Sequence, residues 1–195
     1  GKLYAQIHQG APFEVFLAAD ATRPELLEKE GIGVPGSRFT YAVGRLVLWS
    51  IKPELSSKLN LQVLDQKFFR YLAIANPKTA PYGKAAEQVL RKTGYWEKIQ
   101  SRLVRGENIS QTLQFLMTGN AQIGFISLSQ LNSKRGPRGG NSWLVPPNLH
   151  EPIEQQVILL KHANSNNVAQ EFLKFLKSKK SQRIIKFYGY DVDQF

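Results

Sequence analysis

Apolar positions along the chain follow two rhythms, and most apolar runs stop at a glycine or a proline. Residues 13–18, 72–75, 103–104 and 123–126 are short apolar runs bounded by turn residues and read as buried strands. Residues 20–30, 81–93, 109–117, 168–177 and 181–187 carry helical spacing. Their punctuation agrees: Thr22 is placed to cap the first, Pro24 suits its first turn and Gly31 stops it. Pro81 opens the second and Gly94 closes it. Asn108 or Ser110 caps the third, which ends at Gly119, and Gly189 stops the last. Residues 1–9 read as the end of a helix with Leu3 and Ile7 on one face, and residues 64–69 as a short helix. Residues 51–60, with Pro53 and the pair Ser56-Ser57, and the basic residues 132–141 read as loops.

Residues 38–50 form one long apolar run interrupted by Gly44, and residues 153–160 form a second. Long strands with an internal glycine bend or pass between bodies. The expected organisation is α/β, with residues 1–43 and 154–195 in a discontinuous lobe I and residues 44–153 in an inserted lobe II. Crossover strands fall near residues 39–47 and 151–158.

Composition narrows the chemistry. Among 195 residues, 42% are hydrophobic and 11% aromatic, enough for a packed core. Cysteine is absent, which removes disulfides, thiolate metal sites and cysteine nucleophiles together. Lys and Arg number 26 against 15 Asp and Glu, a formal charge of +11. The excess favours attraction to anions. No apolar stretch reaches the roughly 18 residues of a membrane span.

Catalytic signatures are missing. His8, His150 and His162 form no metal-spaced pair, and the pairs Glu25/Glu28 and Glu151/Glu154 lack a partner acid–base system. There is no G-x-S-x-G, Walker A or G-x-G-x-x-G stretch, so no enzyme is expected. Lys174, Lys177, Lys179, Lys180, Arg183 and Lys186 cluster near the C-terminus, and Lys134, Arg135 and Arg138 in a glycine-rich loop. Poor aromatic interleaving makes these a solvated basic surface, with no nucleic-acid partner expected. What remains is two strand–loop–helix units, residues 72–93 and 103–117. Each helix start exposes backbone N–H groups and about half a positive charge, a donor set that suits an oxyanion.

Residues 10–20, Gly-Ala-Pro-Phe-Glu-Val-Phe-Leu-Ala-Ala-Asp, resemble the GAP-x-x-[LV]-F-x-[SA]-AD stretch of periplasmic molybdate-binding proteins. Residues 76–83, Asn-Pro-Lys-Thr-Ala-Pro-Tyr-Gly, resemble their [ND]P-x-x-[AV]-P-x-G loop. Residues 35–42 with 46–49, and Pro146-Pro147 leading into Glu151-Pro152-Ile153, are similar to one branch of that family. The resemblance runs the length of the chain. It implies a solute receptor of a molybdate ABC importer with a type II periplasmic binding-protein fold and an interdomain cleft. The ion, molybdate or tungstate, would rest between the lobes on neutral donors, with no cofactor. By resemblance, the backbone donors fall on Tyr82 and Ile109, which contact the oxyanion and are not direct metal ligands; Pro81, Asn108 and Ser110 flank them.

Two departures from the family accompany the resemblance. The family's N-terminal strand–helix–strand, with its hydroxyl donors, lies before Gly1, so the first lobe is expected to be N-terminally incomplete. The position where some members place a tyrosine hydroxyl is Ser127. The resemblance further implies a monomer, partnered by the oxyanion and a membrane permease. Its location would be periplasmic or extracytoplasmic, reached through a signal peptide not present in this chain. Two other readings stay open at this level: the effector-sensing domain of a transcription regulator with the same fold, and a receptor for another oxyanion such as sulfate.

Overall fold

The computed structural model describes residues 1–55, 59–65 and 69–192. Its regular elements run in chain order α1 (Lys2–His8), β1 (Val15–Ala18), α2 (Thr22–Lys29), β2 (Phe39–Gly44), β3 (Leu46–Ser50), β4 (Leu72–Ala75) and α3 (Pro81–Lys92). Then come α4 (Trp96–Ile99), β5 (Leu103–Gly106), α5 (Ile109–Met117), β6 (Ile123–Ser127), α6 (Leu128–Asn132), β7 (Asn141–Leu144), β8 (Ile153–Leu159), α7 (Asn167–Lys177) and α8 (Lys179–Phe187). Residues 1–44 with 153–195 form one compact unit, and residues 45–152 form another.

In the discontinuous unit, β8 lies between β1 and β2, antiparallel to both. Side chains of a strand alternate between the faces of its sheet, so a central strand buried on both sides must be apolar at successive positions. Residues 157–159 of β8 meet that demand. Ile158 joins Phe16, Ala18, Ile7 and Leu27 beneath α1 and α2. Val157 and Leu159 join Ala169, Leu173 and Leu176 of α7 on the other face. The register slips between Thr40 and Ala42, which leaves Tyr41 as a bulge. Its ring packs into the α7 cluster. Burial raises the pKa of its phenol above the ordinary range, and its hydroxyl donates to Gln155 Oε1 at 3.2 Å.

The inserted unit is a five-stranded sheet in the order β5-β4-β6-β3-β7. β4 runs parallel to both β5 and β6, while β3 is antiparallel to β6 and β7. Leu116 of α5 packs with Val47, Trp49, Ala73 and Ile126 on one face. α3 packs on β4, β6 and β3. Its buried stripe there is Ala85, Ala86, Val89 and Leu90.

Several local expectations need correction. The long run of residues 38–50 is two strands, β2 and β3, which belong to different sheets. Leu3 is exposed, and Tyr4 takes its place beside Ile7 in the core. Thr22 does not cap α2; the N-cap is Ala21, and the Asp20 carboxylate instead accepts from Arg23 N at 2.8 Å. A 3-10 turn spans Leu61–Asp65, earlier than the helix expected at residues 64–69, of which 66–68 lie outside the described residues. The pair Ser56-Ser57 also lies outside them. Residues 128–132 are helical, and Asn141–Leu144 is an edge strand where a loop was expected to end. α8 begins at Lys179, two residues early, because Ser178 Oγ accepts from Ser181 N.

Candidate functional site

The candidate residues all lie in the inserted unit, at the ends of two neighbouring parallel strands. β4 and β5 pair in register, Ala75 opposite Gly106, so both chains leave the sheet at the same edge. Asn76 N donates to Gly106 O at 2.7 Å and extends the ladder one step beyond β4. The two loops are then tied directly: Thr79 Oγ1 donates to Glu107 O at 3.2 Å.

The α3 start is built by backbone geometry. Asn76 closes a turn by accepting Thr79 N at 3.1 Å and Ala80 N at 2.9 Å on its carbonyl. Its side chain accepts Lys78 N at 3.1 Å. Pro81 forces the residue before it into the extended region, which is the conformation an N-cap needs. Ala80 accordingly has φ −124° and ψ 125°. Alanine offers no capping oxygen, and Pro81 carries no N–H. The helical ladder begins with Gly83 N and Lys84 N, both 3.0 Å from Ala80 O. The Tyr82 N–H therefore sits ahead of the first rung, at the positive end of the helix. Gly83 lets this end sit directly on the strand: a Cβ there would lie 2.3 Å from Ala75 O.

The α5 start has a different construction. Asn108, with φ −150°, accepts Gln111 N on its side chain at 3.0 Å. Gln111 Oε1 reaches back to Glu107 N at 2.7 Å, a reciprocal arrangement close to a capping box. Thr112 N and Oγ1 both donate to Asn108 O, at 3.1 and 2.9 Å. Gln130 Nε2 donates to Ile109 O at 2.9 Å and braces the first turn from α6. Side-chain capping thus serves Gln111, while the N–H groups of Ile109 and Ser110 head the helix. Ile109 is half-buried; Asn108 and Ser110 are exposed. Gly106 matches Gly83 in purpose, since a Cβ on it would lie 2.8 Å from Thr112 N.

The five site residues expected from the sequence therefore fall on two helix starts at one sheet edge. Tyr82 and Ile109 are the second and first residues of their helices, Pro81 opens α3, and Asn108 caps α5. Thr79, Gln111 and the two glycines lie outside that expectation. The spacing Asn108-x-x-Gln111 was the signal for the cap, and nothing in the residue pattern announced the Thr79 tie. Ser127 is buried and serves structure: its Oγ accepts Gln130 N, and the Gln130 side chain accepts Ser127 N in a capping box that opens α6.

Other candidates resolve without chemistry. Among the described residues, no group of three or more His, Asp or Glu is placed to hold a metal. No described helix is long and apolar enough to cross a membrane. A pocket of about 430 Å³ lies against the C-terminal half of α3, lined by Gln88, Arg91, Lys92 and residues 148–151. Its cations are already engaged: Lys92 Nζ donates to Asn148 O, and Arg91 pairs with Glu87. Beside it, the Lys84 ammonium at 2.8 Å holds the Glu151 carboxyl below its usual range. In the discontinuous unit, Arg38 joins Glu28 and Gln156, each at 2.8 Å. The Arg38 hydrogen bond, then the Gly36 N–H, lower the Glu28 pKa.

Comparison with known proteins shows the family. The family of bacterial extracellular solute-binding proteins matches residues 1–191. The molybdate-binding protein ModA of Azotobacter vinelandii is 53% identical over 190 residues, which is 97% of this chain and 75% of that protein. The ModA of Rhodobacter capsulatus is 48% identical over 97% of this chain and 73% of its own length. The solved structure of the Azotobacter vinelandii periplasmic molybdate-binding protein superposes with a TM-score of 0.89. That match has 40% identity and spans all of this chain and 84% of the other. The fold is the type II periplasmic binding-protein fold. The chain belongs to the bacterial extracellular solute-binding proteins, in the branch that contains the ModA molybdate-binding proteins.

Proposed function

We propose that this chain captures molybdate outside the cytoplasm and hands it to the membrane permease of an ABC importer, as a monomeric receptor and not an enzyme. The observation that carries the reading is the pair of helix starts brought to one sheet edge by β4 and β5, in a chain 53% identical to a molybdate-binding protein. The Tyr82 and Ile109 N–H groups donate to the ion. Asn108 and Pro81 fix the backbone that presents them, and the neighbouring Ser110 N–H adds a third donor.

The physical basis is charge without protons. Two helix ends supply roughly one positive charge in sum. Molybdate and tungstate are dianions at neutral pH and larger than sulfate. A smaller ion fails to reach every donor, and each buried donor left unmet costs about 1–3 kcal/mol. Monohydrogen phosphate carries a proton that needs an acceptor, which a set of N–H donors does not supply. Tungstate, with the same charge and shape as molybdate, binds as well.

The test is thermal unfolding with molybdate, tungstate, sulfate and phosphate in turn. At 100 times its dissociation constant, a ligand that binds only the folded chain stabilises it by about 2.7 kcal/mol. The proposal expects that response from molybdate and tungstate and a far smaller one from sulfate and phosphate. Equal responses to all four, or none to molybdate, would refute it.

A further inference from the structure

The rim of the proposed site carries two charges that the fold leaves unmatched. Most acidic side chains in the inserted unit are paired: Glu151 with Lys84, Glu87 and Glu97 with Arg91, and Asp65 with Lys98. Lys78 and Glu107 are different. Both are exposed, and among the described residues no hydrogen bond or ion pair engages the Lys78 ammonium or the Glu107 carboxylate. Their backbones are nevertheless fixed. Lys78 N is held by Asn76 Oδ1, Glu107 N by Gln111 Oε1, and the Thr79 hydroxyl ties the two loops at Glu107 O. One charge of each sign thus stands on a rigid loop beside each helix start, and the two are not joined to each other.

We propose that Lys78 and Glu107 set the rate at which the site captures its dianion, Lys78 by attracting it and Glu107 by opposing it. The inference rests on the proposed oxyanion site and adds a role for side chains to a set of donors that is otherwise backbone. Exposed charges act at a distance on an approaching ion, and this action is screened within a Debye length, about 10 Å at 0.1 M salt. Once the ion is seated on the N–H groups, a solvated rim charge adds little to its retention. The two side chains therefore act on association and leave dissociation unchanged. An unpaired Glu107 also moderates capture of every anion, so the net rate reflects the balance of the two.

The experiment is stopped-flow binding of molybdate to wild type, K78A, E107Q and K98A, at low and at high ionic strength, read by intrinsic tryptophan fluorescence. Lys98 precedes β5 and lies toward the opposite edge of the sheet, so K98A serves as the control. At low salt, K78A associates about threefold more slowly and E107Q about threefold faster, while K98A matches wild type. At high salt all four converge, and dissociation rates agree throughout. Unchanged association in K78A, a shift of E107Q in the same direction as K78A, or an effect confined to dissociation overturns the inference. Equilibrium binding by the wild-type chain is measured first. Failure there removes the oxyanion reading itself, whereas normal affinity with charge-blind association removes only the role of the rim.

Discussion

The two helix starts are built with different chemistry. α3 starts with no side-chain cap, on Ala80, and draws its geometry from Pro81 and from a glycine pressed onto the end of its strand. α5 starts on Asn108, whose side chain and that of Gln111 serve the backbone reciprocally. In the proposed site an uncapped start presents its first N–H with no side-chain cap from the N-cap residue. A capped start still presents its first N–H when the cap is directed to the third residue, as Asn108 is to Gln111. Presentation of a donor is therefore a property of where the cap points, not of whether one exists.

The steric side of this comparison gives the largest expected effect. In G83A the new methyl meets Ala75 O, a backbone atom that cannot swing away, and stability falls by about 3 kcal/mol. In G106A the nearest atoms lie farther off, at 2.8 Å, and the loss is about 1–2 kcal/mol. Urea denaturation of both variants checks the order. A G83A protein as stable as wild type would mean that α3 does not rest on β4 as described.

Capping comes next. N108A removes the acceptor for Gln111 N and costs about 1 kcal/mol. The same variant weakens molybdate binding, because the Ile109 and Ser110 N–H groups lose their fixed direction. Substitution of Ala80 by Ser makes the converse comparison. A hydroxyl at that N-cap supplies a side-chain cap that the wild type lacks, so stability holds or rises by a few tenths of a kcal/mol. Molybdate affinity falls if the hydroxyl turns to the Tyr82 N–H. Calorimetric titration of both variants reads this.

The smallest effect lies away from the helix starts. Arg38 lowers the Glu28 pKa, so the ionised carboxylate contributes stability above its ordinary pKa, and this is lost as pH falls through the lowered value. E28Q is therefore less stable than wild type by about 1 kcal/mol at pH 7, and the difference shrinks below about pH 4. A gap that persists unchanged into acid would place the effect of Glu28 in packing instead of charge.

The same contrast explains what was legible in the residues. Pro81, Gly94, Asn108 and Gly119 bracket α3 and α5, and proline and glycine act through local backbone geometry that a sequence displays. Strand runs such as 72–75 and 123–126 are apolar at every position because they are buried on both faces. β7 was not legible: it is a four-residue edge strand with alternate positions exposed, defined by pairing with β3 across about ninety residues of chain. Thr22 failed as a cap because Asp20, two residues earlier, competes for the first turn with a carboxylate. Leu3 failed because Tyr4 offers both a ring for the core and a hydroxyl bound to Glu30 at 2.9 Å. Tyr82 and Ile109 follow from resemblance alone, and the fold adds how each backbone is held.

The most direct measurement is an amide nitrogen–proton correlation spectrum of the chain titrated with molybdate. The account predicts that the amide protons of Tyr82 and Ile109 move downfield together and saturate with the ion, with Ser110 following. Large shifts confined to the Gln88–Glu151 pocket, or a saturable response that leaves Tyr82 and Ile109 in place, would contradict it.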